Sequence, residues 1–301
     1  MLADLKLRKI YDGLLFLGES ARNPPKIASH HHIELEMNLI VQGTVTYVVN
    51  ERRFTYRPRT LLWLFPKQEH QIVDRSDDAK FFVAVFKPSL IARCCRTNAY
   101  RGLRRPNNER DGVLNVLLEP ASFDLIRKTM DSLMRGSLDP DVLNQEGGFG
   151  VESKFSFEHG DPEGLNAGLH HLLLLCWRSM RSGQVLGDGE ALHPVVQRAL
   201  NVLSEPECDH NLGELARICG ASPAHLSRTF RRQIGIPLNR YRNSVRLSRF
   251  MEQYRKSGQK NLSEAVYASG FGSYAQFYKV FTQAYGCGPR ACLARFRSPI
   301  Q

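Results

Sequence analysis

The last third of the chain repeats itself, and that repeat restricts the folds open to it more than any other feature. "NLGELARICGASPAHLSRTFRRQIG" begins at Asn211 and "NLSEAVYASGFGSYAQFYKVFTQAYG" begins at Asn261. The offset is 50 residues through the first half of the unit and 51 through the second, so one residue is inserted at the turn. A repeat of this kind is a repeated supersecondary unit. Asn211 and Asn261 stand where helix caps belong, and Glu214 and Glu264 follow three residues later, the spacing of a capping box. Leu212, Leu215, Ala216 and Cys219 form one apolar face, matched by Leu262, Ala265, Val266 and Ser269. Gly220 and Gly270 then stop the helix, as a residue with positive φ does. Ser222 with Pro223, and Ser273 with Gln276, open a second helix that ends at Gly235 or Gly286. Short helix, tight turn, second helix is the helix-turn-helix pattern.

The second helices have two distinct sides. Leu226, Phe230 and Ile234 share a face at helical spacing and are expected in the core, as are Phe277 and Phe281. The opposite face carries Ala224, Ser227, Arg228 and Arg231 in the first unit, and Tyr274, Ala275, Tyr278 and Lys279 in the second. Arg bridges a guanine edge or clamps a phosphate, and a small Ala lets the helix approach or meets a thymine methyl. Charge supports this reading. The chain has a formal net charge of +11, and from His193 onward it holds 16 Lys and Arg against 6 Asp and Glu, leaving 25 against 24 before that point. One basic module joined to a neutral one is the expectation, with the basic face turned to phosphates. Between the units, residues 236–256 fit one helix of about 31 Å at 1.5 Å per residue. Adjacent major-groove windows lie about 34 Å apart, so such a helix can hold both second helices one turn of DNA apart. Its Arg240, Arg242, Arg246, Arg249 and Arg255 are expected mostly on solvated surface.

The first 92 residues read as β. "IELEMNLIV", "TVTYVVN", "RRFTYR", "TLLWLF" and "KFFVAVF" are separated by Gly43, the Asn50-Glu51 turn, Pro58, Pro66 and "DRSDD", the rhythm of a small antiparallel barrel or sandwich. A helix follows over residues 121–135, with Phe123, Ile126, Met130 and Leu133 on one stripe. "GSLDPDVLNQEGGFGVESKFSFEHGDPEG" reads as a long loop. A second helix runs from about Leu165 to Met180; its wide apolar face of Leu165, Leu169, Leu172, Leu173, Leu174, Leu175, Cys176 and Met180 wants a barrel, a partner subunit, or both. The Gly-rich "RSGQVLGDGEALHP" is the expected linker. The domains are therefore 1–180, a linker at 181–192, and 193–301. The seven cysteines are scattered without a CxxC pair, which argues against a disulfide framework and a structural zinc site. Vicinal Cys94 and Cys95 are expected to be idle thiols. No apolar run approaches the roughly 18–20 residues that span a bilayer, and the start lacks the apolar core of a signal peptide, so the cytosol is the expected location.

The strings "LSRTFRRQIG" and "GFGSYAQFYKVFTQAYG", the latter followed by Pro289, resemble the DNA-binding domain of AraC/XylS-family transcription regulators, over about residues 193–298. The resemblance implies seven helices, two helix-turn-helix units joined by a long helix, and a DNA-facing set of Ala224, Ser227, Arg228, Arg231, Tyr274, Ala275, Tyr278 and Lys279. Lys279 stands where the family usually has Arg, and Tyr278 is bulky where small polar residues are usual, so the second unit is expected to grip backbone more than to read bases. Residues 20–90 resemble the cupin-like sensor domain found at the N-terminus of this family. The fold expected is thus α+β and multi-domain, a cupin-like barrel with a helical hairpin followed by an all-α domain.

The stretch "HHHIELEMNLIVQG" at residues 30–43 bears on the sensor. Alternate residues of a strand share a face, which groups His30, His32, Glu34, Glu36 and Asn38. The His30, His32, Glu36, Gly43 spacing fits the first motif of metal-binding cupins, and His70 falls where the second motif places its histidine. Arg59 and Gln68 stand where that second motif has glycine. Three arrangements are open: a metal held by His30, His32, Glu36 and His70, a polar pocket for a small ligand, or an exposed polar strand face. The pocket is the one expected, lined by His30, His32, Glu36, Asn38, Tyr47, Trp63 and His70, with no metal or other cofactor. The function expected is a sequence-specific DNA-binding transcription regulator without catalysis, responsive to a small-molecule effector. Its expected partners are double-stranded promoter DNA, RNA polymerase and a second copy docked through Leu165–Met180. The alternative is a metal-dependent cupin enzyme fused to a DNA-binding module.

Overall fold

The computed structural model of the chain describes residue 5 and residues 7–19, 29–104, 113–135, 159–205, 210–256 and 261–295. Its N-terminal half is built from two antiparallel sheets. The larger has the order β1-β7-β2-β5-β8-β9, from β1 (Gly13–Glu19), β7 (Lys80–Phe86), β2 (Leu35–Gln42), β5 (Thr60–Leu64), β8 (Leu114–Leu117) and β9 (Gln184–Val185). The smaller has the order β10-β4-β3-β6, from β10 (Glu190–Ala191), β4 (Arg52–Tyr56), β3 (Val45–Val49) and β6 (His70–Arg75). Strands β1, β6 and β8 lie outside the runs that read as strands in the sequence. "HQIVDR" is too polar to announce itself.

The central strands of the larger sheet are buried on both faces, as a sheet covered on both sides requires. One face looks across to the smaller sheet. The other is covered by helices α2 (Pro120–Met134) and α3 (Pro162–Ser179). Helix α3 buries Leu165, Leu169, Leu172, Leu173, Leu175 and Cys176 in the same core as Ile126 and Met130 of α2. Trp177 completes the contact, its ring 5.7 Å from Trp63 in a T-shaped pair. The breadth of the α3 stripe is thus used within the chain, on the sheet and on α2. A short helix α1 (Pro88–Cys94), which begins within the stretch read as β, closes one end and buries Cys94. Most of the long loop expected at 136–164 lies outside the described residues; its end is the start of α3, capped by the Asp161 side chain accepting from Gly164 N–H at 2.9 Å.

Among the described residues the C-terminal part holds seven helices: α4 (Pro194–Ser204), α5 (Leu212–Ile218), α6 (Pro223–Ile234), α7 (Leu238–Lys256), α8 (Leu262–Ala268), α9 (Tyr274–Tyr285) and α10 (Pro289–Arg295). Each repeat folds as its caps dictate. Asn211 and Glu214 form a complete capping box, while Asn261 accepts from Glu264 N–H and donates from its side-chain amide to the Glu264 carboxylate at 2.7 Å. Ser222 and Ser273 accept from His225 N–H and Gln276 N–H. Gly220, Gly235, Gly270 and Gly286 all sit at positive φ, between 70° and 94°, where a β-carbon is strained.

These helices form two cores, not one. Leu215, Leu226, Phe230, Ile234, Tyr241 and Val245 belong to the first; Leu247, Phe250, Tyr254, Val266, Phe277 and Phe281 belong to the second. Helix α7 spans both, and Pro237 fixes its start one residue before Leu238. Two of its arginines are not merely solvated: Arg242 donates to His210 O, and Arg249 donates to Leu203 O at 2.9 Å and to Glu205 O. They hold carbonyls at the end of α4 and just before α5, where backbone groups lack intrahelical partners.

The expected linker is structured. Strand β9 pairs with β8, and β10 pairs with β4 in the register Glu190↔Arg53 and Ala191↔Arg52. Arg52 also donates to Asp188 O and, at 2.8 Å, to Gly189 O. The segment is Gly-rich because it must turn between two sheets. No helix among the described residues is long and apolar enough to cross a membrane.

Candidate functional site

Two places carry the chemistry foreseen in the sequence. The first is the outer face of the helix-turn-helix units. Ala224, Arg228 and Arg231 are exposed on α6 and Ser227 is half-buried, while Leu226, Phe230 and Ile234 on the opposite side are buried. On α9, Ala275, Tyr278 and Lys279 are exposed, and Phe277 and Phe281 are buried. Tyr274 differs from its neighbours: it is half-buried, its ring 5.7 Å from Phe277, and serves the core as well as the surface. The Tyr278 hydroxyl lies beside Gly288, in the turn between α9 and α10, where a β-carbon would meet it at 2.9 Å. The bulk of Tyr278 is therefore accommodated by a glycine in the next turn. The two exposed faces have separate cores behind them but one 19-residue helix, α7, between them. At 1.5 Å per residue that helix is about 28 Å long.

The second place lies at one end of the space between the sheets. His30 and His70 exchange both backbone hydrogen bonds, at 3.0 and 2.9 Å, and this bridge sets their rings 4.4 Å apart. The His32 ring is 5.3 Å from that of His70 and 6.1 Å from that of His30. Between them stands Glu36, with Oε2 3.0 Å from His32 Nε2 and 3.6 Å from His70 Nε2. The Asn38 side-chain amide donates to Glu36 Oε1 at 2.7 Å and fixes the carboxylate plane. His30 is half-buried; His32, Glu36, Asn38 and His70 are buried.

The electrostatics follow from this crowding. Burial alone would push the Glu36 carboxyl up, but the hydrogen bond from His32 and the neighbouring His70 hold it well below the usual carboxylate range. Burial alone would lower His32, and the hydrogen bond and charge of Glu36 outweigh it and raise the imidazole. Tyr47, on the facing sheet, is pushed well up by burial and by the Glu36 charge. The Tyr47 hydroxyl, Asn38 Oδ1 and Asn115 Oδ1 are buried with no hydrogen-bond partner. Such atoms cost about 1–3 kcal/mol each when left unpaired.

The pocket residues are not all together. Trp63 pairs with Met37 across β5 and β2, which puts it on the face opposite Glu36 and Asn38. It packs on Trp177 and Phe86 beneath the helices, so its place is the core and not the polar group. Asn115 takes its place instead: it faces Leu62, which pairs with Asn38, and its amide reaches the Tyr56 hydroxyl at 3.4 Å. Where the second cupin motif has glycines, the turn geometry survives without them. Arg59 and Lys67, the latter beside Gln68, adopt φ of 70° and 66°.

A third set of residues was not legible in the sequence. The outer face of the smaller sheet contributes Val48 and Val73 to the first helix-turn-helix core. Tyr241 of α7 donates from its hydroxyl to Gln71 Oε1 at 3.2 Å in a buried contact. Gln233, in the last turn of α6, accepts from His193 N–H at 2.6 Å and donates to Ala191 O at 3.2 Å. The first exposed helix is thereby tied to strand β10 and through it to β4.

The family model described as an AraC-like ligand binding domain matches residues 15–144, and the one described as a helix-turn-helix domain matches residues 215–295. No curated protein matches the chain in sequence. Among solved structures the chain is similar to ToxT from Vibrio cholerae, with a TM-score of 0.34 and 14% identity over 93% of this chain and 97% of that one. An unsaturated fatty acid-bound ToxT gives 0.36 and 12% identity over 95% and 97%. The AraC-like transcriptional activator CuxR gives 0.31 and 14% identity over 88% and 83%.

Proposed function

The chain belongs to the AraC/XylS family of transcription regulators, joining an effector-binding domain to a helix-turn-helix DNA-binding domain, and we propose that it reads two adjacent DNA half-sites with α6 and α9 under control of a molecule held between its sheets. The observation that carries this is the pairing of two exposed helix faces, each on its own core, by one continuous helix of about 28 Å. That length approaches the roughly 34 Å between successive major-groove windows. Ala224, Ser227, Arg228 and Arg231 read base edges in the first window. Tyr274, Ala275, Tyr278 and Lys279 mainly hold backbone in the second, because only Lys279 among them is a cation and Tyr274 is partly committed to the core.

The effector lies against Glu36, Asn38 and Tyr47, with the three histidines at its mouth, and it satisfies the orphaned atoms there. Coupling to DNA runs through β3 and β6. Successive residues of these strands face opposite ways, so Tyr47 and Val48, or His70 and Gln71, look into the pocket and onto the first helix-turn-helix core respectively. An effector with different affinity for two settings of these strands shifts the seat of α6, and coupling of that kind is reciprocal. In this reading residues 1–180 sense the effector, 181–192 strap the sheets to the DNA-binding part, and 193–301 bind DNA. The protein acts in the cytoplasm, on promoters and with RNA polymerase, and has no catalytic step. A homodimer is part of the same reading. Since the α3 leucines are consumed internally, its contact uses the outer side of α2 and α3, where Leu125 stands exposed.

The test is fluorescence anisotropy of the full chain on DNA from upstream of its own gene, against a scrambled duplex at the same near-physiological salt. At fixed salt the ratio of affinities reports specificity, whereas bare affinity is mostly electrostatic. A preference of roughly a thousandfold or more for the upstream duplex is expected of a specific regulator. Equal binding to both duplexes refutes the reading.

A further inference from the structure

Two histidines of the cluster have an asymmetric set of partners. His32 Nδ1 lies 3.1 Å from Glu34 O, and His70 Nδ1 lies 2.8 Å from Gln68 O. A carbonyl oxygen only accepts, so both Nδ1 atoms carry a proton. In a neutral imidazole the other nitrogen then presents a lone pair. For both residues that nitrogen is Nε2, and both Nε2 atoms turn toward the Glu36 carboxylate. In the metal-free chain the 3.0 Å contact of His32 Nε2 with Glu36 Oε2 is bridged by a proton, and an ion in this buried space takes that proton's place. His70 Nε2 is buried without a hydrogen-bond partner, and at 3.6 Å it is too far from Glu36 for one. A backbone carbonyl on Nδ1 with Nε2 left to a ligand is how metal-binding histidines are held.

We infer that His30, His32 and His70, with Glu36 completing the set, bind a divalent first-row transition-metal ion. The donor atoms of the three histidines lie within 4.8 Å of one another. Two nitrogens on a tetrahedral ion stand about 3.3 Å apart when each bond is about 2.0–2.1 Å, so the set closes further on binding. His30 is the half-buried member of the set, the other three being buried. Three imidazoles and one carboxylate suit zinc, nickel, iron or cobalt. Calcium and magnesium, which take oxygen ligands, are not expected. Asn38 orients Glu36 from behind, as Glu34 O and Gln68 O orient the histidines, so the surrounding shell is already in place. The ion joins the segment that carries His30 and His32 to strand β6. On that strand the next residue, Gln71, holds Tyr241 of the DNA-binding part. The site goes beyond the regulatory reading: it stands on these donors whether or not the chain reads an operator.

The experiment titrates cobalt(II) into the metal-depleted full-length chain, following visible absorption, and measures operator binding on the same preparations. One equivalent is expected, with the ligand-field bands of a four- or five-coordinate site. His70→Ala and His30→Ala should each weaken uptake at least about tenfold, and His171→Ala, on exposed α3 surface, should leave it unchanged. His30→Ala alters a half-buried residue, so its effect is read on a chain that keeps its melting curve. Absence of bands, or equal loss in His171→Ala, overturns the site. Operator binding without cobalt uptake sinks the metal site alone, whereas cobalt uptake without operator preference leaves the site standing and sinks the regulatory reading.

Discussion

Phe277→Ala should unfold the second helix-turn-helix unit and spare the rest of the molecule. Phe277 is completely buried, with its ring 4.4 Å from Phe250, 5.3 Å from Phe271, 5.4 Å from Phe281 and 5.7 Å from Tyr274. Truncating a core phenylalanine costs about 3–5 kcal/mol. The second core runs from Leu247 to Leu293. A unit of that size, stabilised by about 0.05–0.15 kcal/mol per residue, has only about 2–7 kcal/mol to lose. The first core shares none of these residues. Native-state hydrogen exchange is the assay. Protection should vanish over Leu262–Ala268 and Tyr274–Tyr285, and persist in Leu35–Gln42, Lys80–Phe86 and Pro223–Ile234. The footprint on operator DNA should shrink by one major-groove window, about 10 base pairs. Loss of protection spreading equally through Pro223–Ile234 would show that the two units melt together, and the argument from separate cores would fail.

Three further predictions follow from single contacts. Arg228→Ala should weaken operator binding by about 1–3 kcal/mol and relax preference at one base-pair position, measured by anisotropy across single-site operator variants; a uniform loss over all sequences would make Arg228 a phosphate contact and refute its reading role. Tyr241→Phe leaves Gln71 Oε1 buried without its donor and should cost about 1–3 kcal/mol in urea denaturation, with much of that recovered in the double variant Tyr241→Phe, Gln71→Leu; strict additivity would mean that the hydrogen bond at 3.2 Å contributes nothing. Burial, with Cys95 alongside, pushes the Cys94 thiol up to about 11, so it is protonated at neutral pH. Among the described cysteines, iodoacetamide should label half-buried Cys287 first and reach Cys94, Cys95 and Cys176 only on unfolding, by mass spectrometry; fast labelling of Cys94 would contradict its placement.

What the sequence shows clearly is local. Caps, glycine stops and the 3.6-residue apolar stripe sit within a dozen residues of one another, so Asn211, Ser222, Gly235 and their repeats could be placed before any coordinates were known. The alternation along "HHHIELEMNLIVQG" correctly joined Glu36 and Asn38, because β2 is a regular strand there. It was less apt for His30 and His32, which precede the strand; they reach the same site through the bridge to His70, a contact 40 residues away in sequence. Trp63 was misassigned because an aromatic strand residue fits either face of a sheet buried on both. Register against Met37 decides the face, and register is a tertiary fact. Tyr241, Gln71 and Gln233 gave no signal at all, since a polar pair 170 residues apart leaves no periodicity.

The interface between the two halves explains why so polar a set of contacts is worth keeping. A large apolar seam would lock the DNA-binding part to the sheets regardless of what the pocket holds. Among the described residues the apolar part of the interface includes Val48 and Val73, and its polar part includes Tyr241 on Gln71, Gln233 on the β10 strap, and Arg53 with Asp74 beside Gly235. Burial pushes the Asp74 carboxyl up, against the pull of Arg75, Arg240 and Arg53 around it, so even the charged part of the seam is finely balanced. Each such contact is worth about 0.5–1.5 kcal/mol, close to the 1–3 kcal/mol over which allosteric coupling operates. Among the described residues, only those of the first unit share a core with the sheets. The second rides on the far half of α7, beyond Val245, on its own core. In the proposed reading, a shift of β3 or β6 by a bound effector moves α6 relative to the sheets while α7 keeps α6 and α9 at a fixed spacing, so that the chain changes where it presents its DNA-reading surface without changing what that surface reads.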